Sequence, residues 1–147
     1  MTTTLVEFAV IGRPASVNSG KKYAARKKLW KHLVYTEASK HYTDLPVPYK
    51  TTLKVFYFPH NGQYTDVDNG LKYTLDAMKN VVIDDDKSVT RVIAERFLTE
   101  PGSSLVVPLK LAPAVMKILT DMQAKPKKEY VTLVKLEKHE CNGGSLW

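Results

Sequence analysis

Cysteine occurs once in the 147 residues, at Cys141, so no disulfide can form within the chain and a disulfide-stapled secreted scaffold is excluded. Long apolar runs are also missing: none approaches the ~20 residues that span a bilayer. The opening Met1-Thr2-Thr3-Thr4 lacks the charged and apolar regions of a signal peptide. The expectation is a cytoplasmic protein with no membrane partner. A glycine-rich phosphate loop ending in Lys-Ser/Thr is absent, which removes Walker-type ATPases. Internal repeats, low-complexity tracts and linkers are absent too, so residues 1–147 read as one domain. Acidic residues are scarce in one part of the chain only. Residues 1–65 hold ten Lys/Arg against three Asp/Glu, whereas residues 66–147 hold twelve of each. The whole net charge of +7 therefore lies in the N-terminal part. Such an excess reads either as a solvated face or as a surface for a polyanion.

What is present reads as α/β, or α+β: a small mixed sheet with helices packed on it. With 44% hydrophobic and 25% charged residues, the chain is long enough to bury a core. Thr4 to Ile11 is apolar and β-branched, ends at Gly12, and predicts a first strand. A loop of turn formers follows, through Arg13, Pro14, Ser16, Asn18 and Gly20. From Lys21 to about Tyr42, Leu29, Trp30, Leu33, Val34 and Ala38 recur at helical spacing and form one apolar face. Trp30 reads as core. Arg13, Lys21, Lys22, Arg26, Lys27, Lys28 and Lys31 supply seven cations without one acid. Cations near a helix N-terminus oppose its dipole, and phosphate is the partner that makes use of them. After the break at Pro46 and Pro48 come a strand from Thr51 to Phe58, a helix from Asp68 to about Asn80 and a strand over residues 88–99. A short helix from Ala112 to Met122 and a last strand from Glu129 to Leu136 complete the order. His139 and Cys141 lack the second ligand pair of a zinc site.

Residues 66–86 stand apart. Six carboxylates (Asp66, Asp68, Asp76, Asp84, Asp85 and Asp86) fall within twenty-one residues of a basic protein. Crowded like charges need solvent, a lysine or a cation. In an extended stretch Asp66 and Asp68 point the same way. In a helix Asp68, Lys72 and Asp76 share a face, with Asp68 or Asn69 as N-cap. Asp85 and Asp86 begin the next element and can close the site from across the sheet. Hard oxygen donors suit a partly hydrated Mg²⁺ that also binds phosphate. A helix–loop–helix calcium site is excluded by counting: from Asp66, positions five, six and twelve are Gly70, Leu71 and Ala77. Spacing alone leaves two readings, a magnesium site for phosphodiester cleavage and an Asp-rich surface loop with a capped helix.

The segment resembles the RusA family of Holliday-junction resolvases. That family shows D-x-D-N-x-x-K-x-x-x-D-A-L followed by D-D-x-x-V. Here the residues are Asp66-Val67-Asp68-Asn69-Gly70-Leu71-Lys72-Tyr73-Thr74-Leu75-Asp76-Ala77-Met78, and then Asp85-Asp86-Lys87-Ser88-Val89. Gly12-Arg13-Pro14-Ala15-Ser16-Val17-Asn18 is similar to the family's G-x-P-x-S-x-N. The resemblance covers about residues 5–98. Residues 100–128 look like an insertion, and the final strand follows at about 129–136.

The resemblance implies a crossover junction endodeoxyribonuclease, a homodimeric hydrolase that places paired nicks in four-way DNA during recombination and repair. It implies a Mg²⁺ cofactor, with Mn²⁺ as a possible substitute, and a bacterial, prophage or phage cytoplasm. By motif position Asp66, Asp68 and Asp86 would hold the metal, with Asp85 as a further candidate. Lys72 would be the catalytic lysine, and Asn69 and Asp76 would support. Arg13, Asn18, Lys21, Lys22, Arg26, Lys27, Lys28 and Lys31 would contact DNA. Where some relatives carry arginines before the first aspartate, this chain has Gln63-Tyr64-Thr65. A non-catalytic DNA-binding module, and a nuclease for other branched or single-stranded DNA, remain as alternatives.

Overall fold

Alternation of apolar and polar residues along Thr4–Ile11 sends Val6, Phe8 and Val10 inward and leaves Glu7, Ala9 and Ile11 exposed; this stretch is strand β1. The computed structural model describes residues 3–15, 21–59, 67–68, 70–97, 113, 116–117 and 130–140. Helix α1 spans Lys21–His41, and strand β2 spans Thr51–Phe58. Helix α2 is Leu71–Met78, a 3₁₀ turn covers Asp86–Ser88, β3 is Val89–Arg96 and β4 is Val131–Lys138.

The sheet order is β1-β4-β2-β3. β4 runs antiparallel to both neighbours, whereas β2 and β3 are parallel. The last strand in sequence thus fills an interior position. Both inner strands, β2 and β4, are buried almost throughout, while the edge strand β3 alternates between half-buried and exposed. That contrast explains why TTLKVFYF is apolar on successive residues: both of its faces are covered.

The main core lies on one face of the sheet. Register brings Val6, Leu136 and Leu53 into one row, and Phe8, Val134 and Val55 into the next. Trp30, Val34 and Ala38, spaced i, i+4, i+8 on α1, pack there with Ala77 and Met78 of α2. A second apolar group occupies the other face, where Phe58 and Phe97 stack at 5.0 Å between ring centres and Phe56 lies 6.0 Å from Phe97. Glu137, buried on that face, receives Lys54 at 3.0 Å and Lys135 at 3.2 Å. No helix among the described residues is long and apolar enough to cross a membrane.

The structure departs from the sequence reading at several places. Leu29 is 57% exposed and is not part of α1's buried face. α2 begins at Leu71 rather than Asp68, and its N-cap is Gly70, without a side-chain cap. Gly70 adopts φ 80°, a left-handed conformation, so helical geometry cannot start before Leu71. β4 lies two residues later than expected, at Val131–Lys138. Of the expected helix at 112–122 only Pro113, Met116 and Lys117 fall among the described residues; they are helical and exposed.

Candidate active site and nucleic-acid interface

The acidic segment follows β2 and is tied to the loop after β1. A Cβ placed on Gly70 would lie 2.7 Å from Pro14 Cβ and 3.5 Å from the Ala15 carbonyl oxygen. Only glycine satisfies both that approach and the positive φ. The upstream Gly12-Arg13-Pro14 loop and the aspartate turn, more than fifty residues apart in sequence, are therefore in direct contact. The turn at Val67 and Asp68 passes into α2, with the Leu71 N–H donating to the Asp68 carbonyl at 3.4 Å. Beneath it lies Tyr57, 1% exposed at the C-terminal end of β2. Burial pushes the Tyr57 phenol well above its ordinary range, and the neighbouring Tyr130 phenol and Asp68 carboxylate add to the effect.

The second acidic group is anchored elsewhere. After α2 the Val82 N–H returns to the Met78 carbonyl at 2.9 Å, and Asn80, at φ 66°, turns the chain. Val47 then brackets the segment: its N–H donates to the Val82 carbonyl at 2.8 Å, and its carbonyl accepts from the Asp84 N–H at 3.2 Å. Asp85 caps the 3₁₀ turn by accepting from the Lys87 N–H at 3.1 Å. Asp85 and Asp86 share a side-chain hydrogen bond. It holds Asp86 above the usual carboxylate range and, with the Lys87 N–H, holds Asp85 below it. Asp76 and Lys79 lie within electrostatic reach of Asp86.

These two groups sit at opposite ends of the parallel strands. Asp68 lies by Tyr57, and Asp86 lies just ahead of Val89, which pairs with Thr51. Thr51 to Tyr57 spans about 20 Å at ~3.3 Å per residue. No group of three potential ligands that could hold a metal occurs among the described residues, which do not include Asp66. Asp66, Asn69 and Asn18 lie outside the described residues. Lys72 is exposed in the first turn of α2, with Asp76 one turn further on and half-buried. Among the described residues no ion pair joins Lys72 to Asp68 or Asp76.

The basic surface is carried mainly by α1. Arg13, Arg26, Lys28 and Lys31 are exposed, while Lys27 is half-buried with its ammonium 5.5 Å from the centre of the Tyr73 ring. Lys21 and Lys22 open the helix, and their side chains lie outside the described residues. The contact between Lys27 and Tyr73 places the cationic half of α1 alongside α2.

A family model described as endodeoxyribonuclease RusA matches residues 9–109. The chain belongs to the RusA endodeoxyribonuclease family. The match takes in the Gly12-Arg13-Pro14 loop, the aspartate turn and the Asp85-Asp86 pair, and it includes residues 100–109. No curated protein matches the chain. As a RusA-family protein it falls in the class of DNA-cleaving hydrolases. Sequence reasoning had passed over Gly70, pressed against Pro14, Thr74, buried in α2, and Tyr57, buried near Asp68. The available signal was small: a glycine at an unassigned position of the motif, and a threonine inside an otherwise apolar helix stripe.

Proposed function

We propose that this RusA-family protein is a Mg²⁺-dependent endonuclease that acts as a homodimer and resolves four-way DNA junctions in recombination and repair. The observation that supports this reading best is the placement of Asp68 and Asp86 at opposite ends of β2 and β3. A two-fold related copy can bring the first group of one subunit to the second group of the other, and two such composite sites suit a junction that is itself pseudo-symmetric. The donor set fits the cation: carboxylate oxygens are the ligands Mg²⁺ prefers, and Mn²⁺ accepts the same set. Asp66 and Asp68, with Asp86 contributed by the second copy, would hold it, and Asp85 orders the turn that carries Asp86.

When bound, the cation supplies an acidified water and offsets charge on the phosphate under attack. The chain's own groups do the rest. Lys72, exposed one turn beyond the aspartates, presents fixed positive charge to the developing phosphorane. Arg13, Arg26, Lys28 and Lys31 hold backbone phosphates and so fix the register of the DNA against the acids.

The test is a single preparation incubated with four-way junction, fork, flap and linear duplex, with and without Mg²⁺. Paired nicks in the junction that depend on Mg²⁺, and that Asp68→Asn abolishes while junction binding persists, support the proposal. Salt-sensitive binding without strand scission points to a DNA-binding module. Preferential cutting of flap or fork points to a nuclease for other branched DNA.

A further inference from the structure

The aspartate turn is held from behind by a hydrogen-bonded relay that crosses between the two helices. The buried Trp30 indole Nε1–H of α1 donates to Thr74 Oγ1 of α2 at 3.0 Å. The Thr74 hydroxyl in turn donates to the Gly70 carbonyl at 2.8 Å, and the Thr74 backbone N–H donates to the same oxygen at 2.8 Å. Trp30 and Thr74 are each 1% exposed. The same indole reaches the upstream loop, since a Cβ on Gly12 would lie 3.9 Å from Trp30 Cζ3 and 3.2 Å from Leu33 Cδ1. One tryptophan therefore touches the loop after β1 with one end of its ring and the start of α2, through Thr74, with the other.

We infer that Trp30 and Thr74 are positioning residues for the metal-binding turn: they fix the Gly70 carbonyl, and through it the orientation of Asp68. A threonine hydroxyl inside a helix usually bonds the carbonyl four residues back and has no further partner. Here that bond ends on Gly70, the left-handed residue at which α2 begins. A carbonyl carrying two short hydrogen bonds, on a glycine pressed against Pro14, has little freedom to rotate. Neither Trp30 nor Thr74 touches a reacting group. Their effect is on the turn, as with outer residues that orient metal ligands elsewhere.

This inference rests on the reading of the chain as a metal-dependent nuclease, and its test separates the two. Wild type, Thr74→Val and Thr74→Ser are compared by calorimetric titration with Mn²⁺ without DNA, by junction binding in chelator and by thermal unfolding. The titration is run well below the lowest melting temperature, so that all three proteins are folded. Valine keeps the shape of threonine and removes the two hydrogen bonds of the hydroxyl, leaving the backbone N–H bond to the Gly70 carbonyl; serine keeps all three. The expected result is Mn²⁺ binding weakened about tenfold or more by Thr74→Val, restored to within about twofold by Thr74→Ser, with metal-free junction binding unchanged. A folded Thr74→Val protein that binds Mn²⁺ as wild type does overturns the inference, and so does a Thr74→Ser protein as impaired as the valine variant. The nuclease reading fails on a different result, wild type that leaves junction DNA intact in Mg²⁺.

Discussion

Gly70 and Pro14 approach so closely that a single added methyl group would sit 2.7 Å from the proline ring. This contact joins two segments of the RusA motif and leaves no other residue type at position 70. Gly70→Ala therefore meets a left-handed φ and a steric overlap together, an expected cost of about 2–4 kcal/mol in thermal or denaturant unfolding. A loss below about 0.5 kcal/mol would show that the loop after β1 yields easily and does not brace the aspartate turn.

Asp68 and Asp86 should complement between subunits. Each of Asp68→Asn and Asp86→Asn is expected to abolish cleavage. In a mixed dimer one composite site carries both substitutions and the other carries neither. Mixing the two inactive proteins should then restore nicking of one strand per junction. Continued inactivity in mixtures shown to exchange subunits would mean that the acids act within one chain.

The cations of α1 should act through phosphate. Lys28→Ala and Lys31→Ala are expected to weaken junction binding alike for all sequences. Each should also reduce the slope of log affinity against log salt by about one unit. Binding measured across a salt series checks this, and an unchanged slope would remove these lysines from the interface.

Glu137 is a buried acid on the face of the sheet opposite the main core. Its side chain, 4% exposed, accepts from Lys54 and pairs with Lys135. Glu137→Leu leaves two partly buried ammonium groups without their carboxylate, an expected loss of about 3 kcal/mol and on the order of 10 °C in Tm. Adding Lys54→Met should recover part of that loss, because one of the stranded charges is gone. Calorimetry on the single and double variants measures the coupling.

Some of this was legible in the chain. β1 and β2 fell where the sequence put them because strong local signals mark both ends: alternation into Gly12 for one, a run of β-formers into Pro59 for the other. α1 was equally plain, although Leu29, which has the right spacing, is exposed because the groove between β1 and α2 is filled by Trp30, Val34 and Ala38. The start of α2 was misplaced because Asp68 has the chemistry of a cap, whereas the backbone at Gly70, held by Pro14 and Thr74, decides where the helix begins. Asp68 and Asp86 stood out as chemistry. Tyr57 beneath Asp68 did not, since a tyrosine in a strand of aromatics carries no local mark of its role.

The sequence by itself determined the type of each element, the acidic segment and its family, and the basic half of α1, because each depends on neighbours a few residues away or on residue type alone. Tertiary structure alone decided that β4, more than seventy residues after Phe58 in the sequence, enters between β1 and β2, that Gly70 locks against Pro14, and that Asp68 and Asp86 lie towards opposite ends of β2 and β3. These outcomes depend on which distant apolar faces bury one another and on the ~3.3 Å rise of a strand, which carries a chain about 20 Å from one end of β2 to the other.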